Sequence, residues 1–173
     1  DPADALADDA KPVELIPVDA QGRVDVAALE LMLDDDVAVV AVMWANNEVG
    51  TVQPVAQIAQ MCAARGVPFH TDAVQALGQL DLDLEGIPSA ALSAHKVGGP
   101  VGVGALVLDR DLSVRPLVHG GGQERDVRSG TLDAAGIAGF AAALAADKPD
   151  LAPLRDRLID GVRRVVPDAV LNG

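Results

Sequence analysis

At 173 residues the chain is long enough for one domain with a real core, half of it hydrophobic but only 2% aromatic. The formal net charge of −13 sets up a field that repels phosphate backbones and anionic membranes, which argues against nucleic acid as a partner. One cysteine rules out an internal disulfide and a cysteine-built metal site. No apolar run is long enough for a membrane span and no signal-peptide pattern opens the chain, so a reducing, cytoplasmic setting is expected.

With so few aromatics, Ala, Val and Leu must fill the interior, which suits parallel strands covered by helices on both faces. Asp1 to Ala10 is acidic and alanine-rich, without a strand signal. Val13 to Val18 reads as a strand, and Asp25 as the N-cap of a helix through about Leu33, with Val26, Leu29 and Leu33 on one face. Val37 to Ala45 is almost wholly apolar and predicts a strand buried on both sides. Asn46-Asn47-Glu48-Val49-Gly50 breaks that run into a turn. Pro54 fits the first turn of a helix running to Ala64, and Gly66 its C′ stop.

Val67 to Thr71 predicts the next strand, and another ends near His95. Gly102 to Leu108 follows too closely for a helical crossover, so it should run antiparallel to its predecessor. Arg115 to Asp133 is long, irregular and rich in Gly and Arg, the kind of segment that is usually functional. Ala134 to Ala146 predicts a helix, Pro149 and Pro153 a break, and Leu154 to Val166 a second helix. Val170 to Gly173 resembles the start of a strand, and with Asp1 in place of a methionine the whole reads as a portion of a larger protein.

Two strand ends carry the chemistry. One closes on His70-Thr71-Asp72-Ala73-Val74-Gln75, the other on Ser93-Ala94-His95-Lys96 ahead of a glycine-rich stretch. An acid and a lysine, each at the end of its own strand, are what pyridoxal 5'-phosphate requires. The amine forms a Schiff base, and the carboxylate keeps the pyridine nitrogen protonated so that the ring accepts electrons. His70 precedes Asp72 by two, so on a strand both face one side. It either orients that carboxylate or is a satisfied core histidine.

Val42 to Pro54, His70 to Gln75, Ser93 to Lys96, Gly120-Gly121-Gly122-Gln123-Glu124-Arg125 and Arg128-Ser129-Gly130-Thr131 together resemble the motifs of cysteine desulfurases, in that family's order. The likeness covers nearly the whole chain, and the NNEVG and RSGT forms are similar to the NifS/IscS-like group of the class V aminotransferase lineage. It implies a three-layer α/β fold, a mainly parallel sheet with one antiparallel strand, forming part of the large domain of fold-type I pyridoxal phosphate transferases. Residues 1–150 would belong to that cofactor-binding domain, and residues 151–173 to a connecting helix and the start of a smaller C-terminal domain.

The resemblance assigns Lys96 to the Schiff base and Asp72 to the pyridine nitrogen. Asn47 and Gln75 go to the phenolic oxygen, and Ser93 and His95 to the phosphate. Thr131 would reach the phosphate of a partner subunit's cofactor, which implies a homodimer; its alternative is to cap the helix near Ala134. The substrate implied is L-cysteine and the further partner a sulfur-acceptor protein. The family's Thr-bearing phosphate loop, ring-stacking histidine, persulfide-forming cysteine and substrate-clamping arginine have no counterpart here, and Val101 stands where lysine is common. Cys62 lies inside a helix and reads as packing, Trp44 as core, and the three histidines lack metal-ligand spacing. Two other readings stay open: a different class V aminotransferase or lyase, or a non-catalytic cofactor-binding or dimerisation fragment.

Overall fold

Asp25 opens the first helix because its carboxylate accepts the N–H groups of Ala27 and Ala28, both at 3.0 Å. In the computed structural model, which describes residues 12–172, this helix is α1 (Val26–Met32). Strand β1 (Val40–Met43) follows, then α2 (Val55–Ala64), β2 (Phe69–Asp72), β3 (Ser89–Ser93) and β4 (Gly104–Leu108). Helices α3 (Ala134–Ala145) and α4 (Ala152–Val165) complete the order. Gly66 stops α2 as expected, with its N–H on Ala63 O (3.1 Å) and that of Val67 on Cys62 O (2.9 Å).

The four strands form one sheet in the order β1-β2-β3-β4. β1 and β2 are parallel, as are β2 and β3, while β4 returns antiparallel to β3. The sheet is therefore mixed and mostly parallel, and the short link after β3 did force an antiparallel return. Registration pairs Val40 with Phe69, Val42 with Thr71 and Thr71 with Ala90. Because side chains alternate, these residues share one face. They are buried together with Leu29 and Leu33, and with Val55, Ile58, Ala59 and Cys62 of α2. Trp44 and Cys62 are both core residues, as expected.

The structure corrects several sequence expectations. Val13 to Val18 forms no strand; only Val18 makes an isolated bridge, to Val24. Pro12 and Pro17 remove ladder donors at both ends of that stretch. The strand within Val37 to Ala45 is only four residues long, and it is not buried on both faces: Ala41 is exposed and Met43 half-buried. Pro153 does not mark a break but lies in the first turn of α4, where its missing N–H costs no hydrogen bond. Strand β3 ends at Ser93, near His95 as expected, and His95 sits in the 3₁₀ turn (Ala94–Val97) that follows. Val170 to Asn172 is not a strand, and Gly173 and Asp1 to Ala10 lie outside the described residues. No helix among the described residues is long and apolar enough to cross a membrane.

Candidate functional site

Parity along β2 separates the core from the chemistry. Phe69 and Thr71 point into the core, so His70 and Asp72 occupy the other face, where both are half-buried. Asp72 pairs with Met43 on one side and Ala91 on the other. Two residues past Ala91, Ser93 ends β3 on that same face. The C-terminal ends of three neighbouring strands thus bring together Asp72, Ser93 and the loop after β1 that holds Asn47. In open α/β sheets, ligands bind at such strand ends.

Asp72 spends one oxygen locally: the Val74 N–H donates to its Oδ1 at 2.9 Å. No hydrogen bond engages its second oxygen within the described residues. Gln75 lies in the turn that follows, half-buried. Ser93 Oγ and His95 Nδ1 share a 2.8 Å hydrogen bond, so the two expected phosphate donors form one unit. Their turn ends at Gly98, whose φ of +86° suits glycine, with its N–H on Ala94 O. Lys96 stands exposed in that turn.

His70 Nδ1 lies 2.8 Å from Ser89 Oγ, and Ser89 is buried. Of its two readings the structure selects the satisfied histidine, since its recorded bond is to Ser89 and not to Asp72. Thr131 is exposed and does not cap α3. The cap is Asp133, whose carboxylate accepts the Gly136 N–H at 3.0 Å. Among the described residues no hydrogen bond joins Thr131 to the other candidates. The segment before it carries three consecutive non-glycine residues at positive φ, Glu124, Arg125 and Asp126. Hydrogen bonds from Gly122 N–H to Ser129 Oγ (3.2 Å) and from Gly130 N–H to Gln123 Oε1 (2.8 Å) hold it.

Lys96 lines a cavity of roughly 600 Å³ with Gly78, Gln79, Lys148, Asp150 and Arg155, a volume within the range of small-molecule sites. None of the other candidate residues lines it. Lys148 was missed by sequence reasoning: its ammonium lies over Gly78, where a Cβ has no room. Its only sequence signal is scarcity, since the chain has three lysines and two meet here. Cys62 is fully buried, and burial pushes its thiol above the ordinary value of 9.0.

A mostly parallel sheet with an acid and a lysine-bearing turn at adjacent strand ends defines an α/β protein whose candidate residues gather at the C-terminal ends of its parallel strands. The chain belongs to the aminotransferase class-V family, which it matches over residues 2–148, and members of that family use pyridoxal phosphate. It is 49% identical over 172 residues to an IscS-like cysteine desulfurase of Mycobacterium tuberculosis, covering 93% of this chain and 44% of that protein. Identity to the cysteine desulfurase NifS of Azotobacter vinelandii is 43% over 179 residues, covering 98% of this chain and 44% of that one. Among solved structures, DndA from Streptomyces lividans superposes with a TM-score of 0.79 at 37% identity, over 87% of this chain and 46% of that one. The chain therefore spans less than half the length of these relatives.

The residues present fit that cofactor. Asp72 keeps an oxygen outside its local hydrogen bond, the Ser93–His95 unit is accessible, Asn47 is exposed on the loop after β1, and Lys96 is an accessible primary amine.

Proposed function

We propose that this chain is part of a cysteine desulfurase that uses pyridoxal 5'-phosphate, converts L-cysteine to L-alanine and leaves the sulfur on an enzyme thiol as a persulfide. The atoms balance: L-cysteine and one thiol give L-alanine and one persulfide. When bound, the cofactor supplies an electron sink for the substrate Cα. Lys96 holds it covalently and carries the Cα proton. Asp72 retains the proton on the ring nitrogen. Asn47 and Gln75 donate to the phenolic oxygen, Ser93 and His95 to the phosphate.

Thr131, exposed and free of capping duty, serves the cofactor of a second subunit in a homodimer. The persulfide is then handed to a sulfur-acceptor protein. Cys62 is no candidate for the thiol, because it is buried in the core and held protonated. The attacking cysteine therefore belongs to a part of the protein outside these 173 residues.

One observation carries this reading: Asp72 and the Ser93–Lys96 turn close neighbouring parallel strands in a chain 49% identical to an IscS-like cysteine desulfurase. Adding pyridoxal phosphate to the whole protein should produce an absorbance band at the edge of the visible, absent in Lys96→Ala. Cysteine should then yield alanine, while the 173-residue chain alone yields none. A band that persists in Lys96→Ala, or alanine made by the isolated chain, overturns the assignment.

A further inference from the structure

Four hydrogen bonds converge on one residue of the loop after β1, and that residue is Asn46, not the Asn47 expected to meet the cofactor. Asn46 Oδ1 accepts the N–H groups of Glu48 at 2.9 Å and Val49 at 3.0 Å. Its own N–H donates to Thr51 O at 2.9 Å, and its carbonyl accepts the Gly50 N–H at 3.0 Å. Such an arrangement needs a short side-chain acceptor that reaches the second and third residues on, which Asn and Asp provide. Gly50, at φ +78°, lets the chain reverse.

The base of the loop is equally fixed. Ala45 bridges Val52, and the Gln53 N–H donates to Trp44 O at 2.8 Å. The Gln53 side chain clamps the preceding segment, donating from Nε2 to Gly22 O (2.7 Å) and accepting the Val24 N–H at Oε1 (2.9 Å). The buried Thr51 hydroxyl adds a bond to Gln21 O. At its start the loop is tied to the site, because the Trp44 N–H donates to Asp72 O at 2.8 Å. Asn47 takes no part in any of these bonds and is exposed, while Asn46 is half-buried.

We infer that Asn46 is a positioning residue: it fixes the backbone from which Asn47 presents its amide beside Asp72. The division of labour rests on the cofactor reading above. A donor held ready in place forms its bond without first being ordered, so loss of the Asn46 acceptor should weaken the Asn47 interaction with no change at Asn47 itself. Asn46→Asp keeps the acceptor and should restore the loop; Asn46→Ala removes it.

The test uses the whole protein with added pyridoxal phosphate and three variants: Asn46→Ala, Asn46→Asp and Asn47→Ala. Three quantities are read: the pH midpoint of the bound cofactor's absorbance, its dissociation constant, and hydrogen exchange of the Glu48 and Val49 amides. Asn46→Ala should shift the midpoint in the same direction as Asn47→Ala and raise the dissociation constant about tenfold, the worth of one hydrogen bond. It should also lose amide protection, which Asn47→Ala retains, and Asn46→Asp should match the parent in all three. If Asn46→Ala does not fold, Asn46→Ser, a weaker acceptor of the same reach, should give an intermediate shift.

A parent-like midpoint and affinity in Asn46→Ala, or in Asn46→Ser where that replaces it, overturns the inference and leaves the cofactor reading intact. So does an Asn46→Asp variant that keeps protection yet behaves like Asn47→Ala. Absence of any Lys96-dependent band in the parent overturns both.

Discussion

The two faces of the four-stranded sheet share a single backbone ladder and have opposite chemistry. On one, Val40, Val42, Phe69, Thr71 and Ala90 are buried against α1 and α2. On the other, Ala41 is exposed and Met43, His70, Asp72, Ala91 and Ser93 are half-buried, with Ser89 held by His70. Ionisable side chains cannot occupy the first face without a large desolvation cost, and apolar bulk on the second would fill the site. The difference shows how strand parity separates the buried core residues of β1 and β2 from the candidate residues His70 and Asp72.

The largest effect should come from the closed face. Phe69 is 1% exposed, and Phe69→Ala should lower unfolding free energy by about 3–5 kcal/mol in a urea titration. A loss below about 1 kcal/mol would mean that the two faces do not differ energetically. A gain should come from the same face. Thr71 Oγ1 is buried without a hydrogen-bond partner, so Thr71→Val should raise stability by about 1 kcal/mol, and a destabilised valine variant would expose a partner for that hydroxyl.

On the open face, Asp72→Asn keeps an acceptor for the Val74 N–H. Stability should change by no more than about 0.5 kcal/mol, while the cofactor's visible band moves or disappears. Equal losses of fold and band would place Asp72 among the structural residues instead.

The smallest effect concerns Cys62. Burial raises its thiol above 9.0 in the fold, so the folded state binds more protons than the unfolded one above that pH. Its contribution to stability is fully present below the unfolded thiol's pKa and is lost as pH rises through the raised folded value. Cys62→Ala should remove that alkaline decline, at the expense of some packing. Unfolding titrations at pH 8 and pH 10 check it: a parent whose stability drop between them equals that of Cys62→Ala would refute the assignment.

Much of this was legible in the sequence. Asp25 and Gly66 mark helix ends because caps are chemistry between residues two to four apart. The antiparallel β4 followed from a link too short for a helix. The candidate residues Asp72 and Lys96 were also picked out by sequence, since each follows an apolar run. What remained hidden depended on partners far away in the chain. Val13 to Val18 has strand-like residues but pairs only through the single Val18–Val24 bridge, and Ala41 lies in an apolar run yet faces outward. Asn46 and Asn47 are the same residue type side by side, and only the loop's hydrogen bonds tell the organiser from the free amide. Lys148 is fifty-two residues beyond Lys96 and shares its cavity through a fold that no local pattern describes.

By itself, then, the amino-acid order determined the helices, the capping chemistry and the roster of candidate reactive groups, all consequences of interactions over a few residues. Tertiary structure decided that Met43, Asp72 and Ala91 lie abreast, that Asp72 shares its face with Ser93, and that Lys96 and Lys148 line one cavity. The physical reason is one of range: backbone turns and side-chain alternation are settled locally, whereas the neighbour of each strand is chosen by which apolar faces can be buried together.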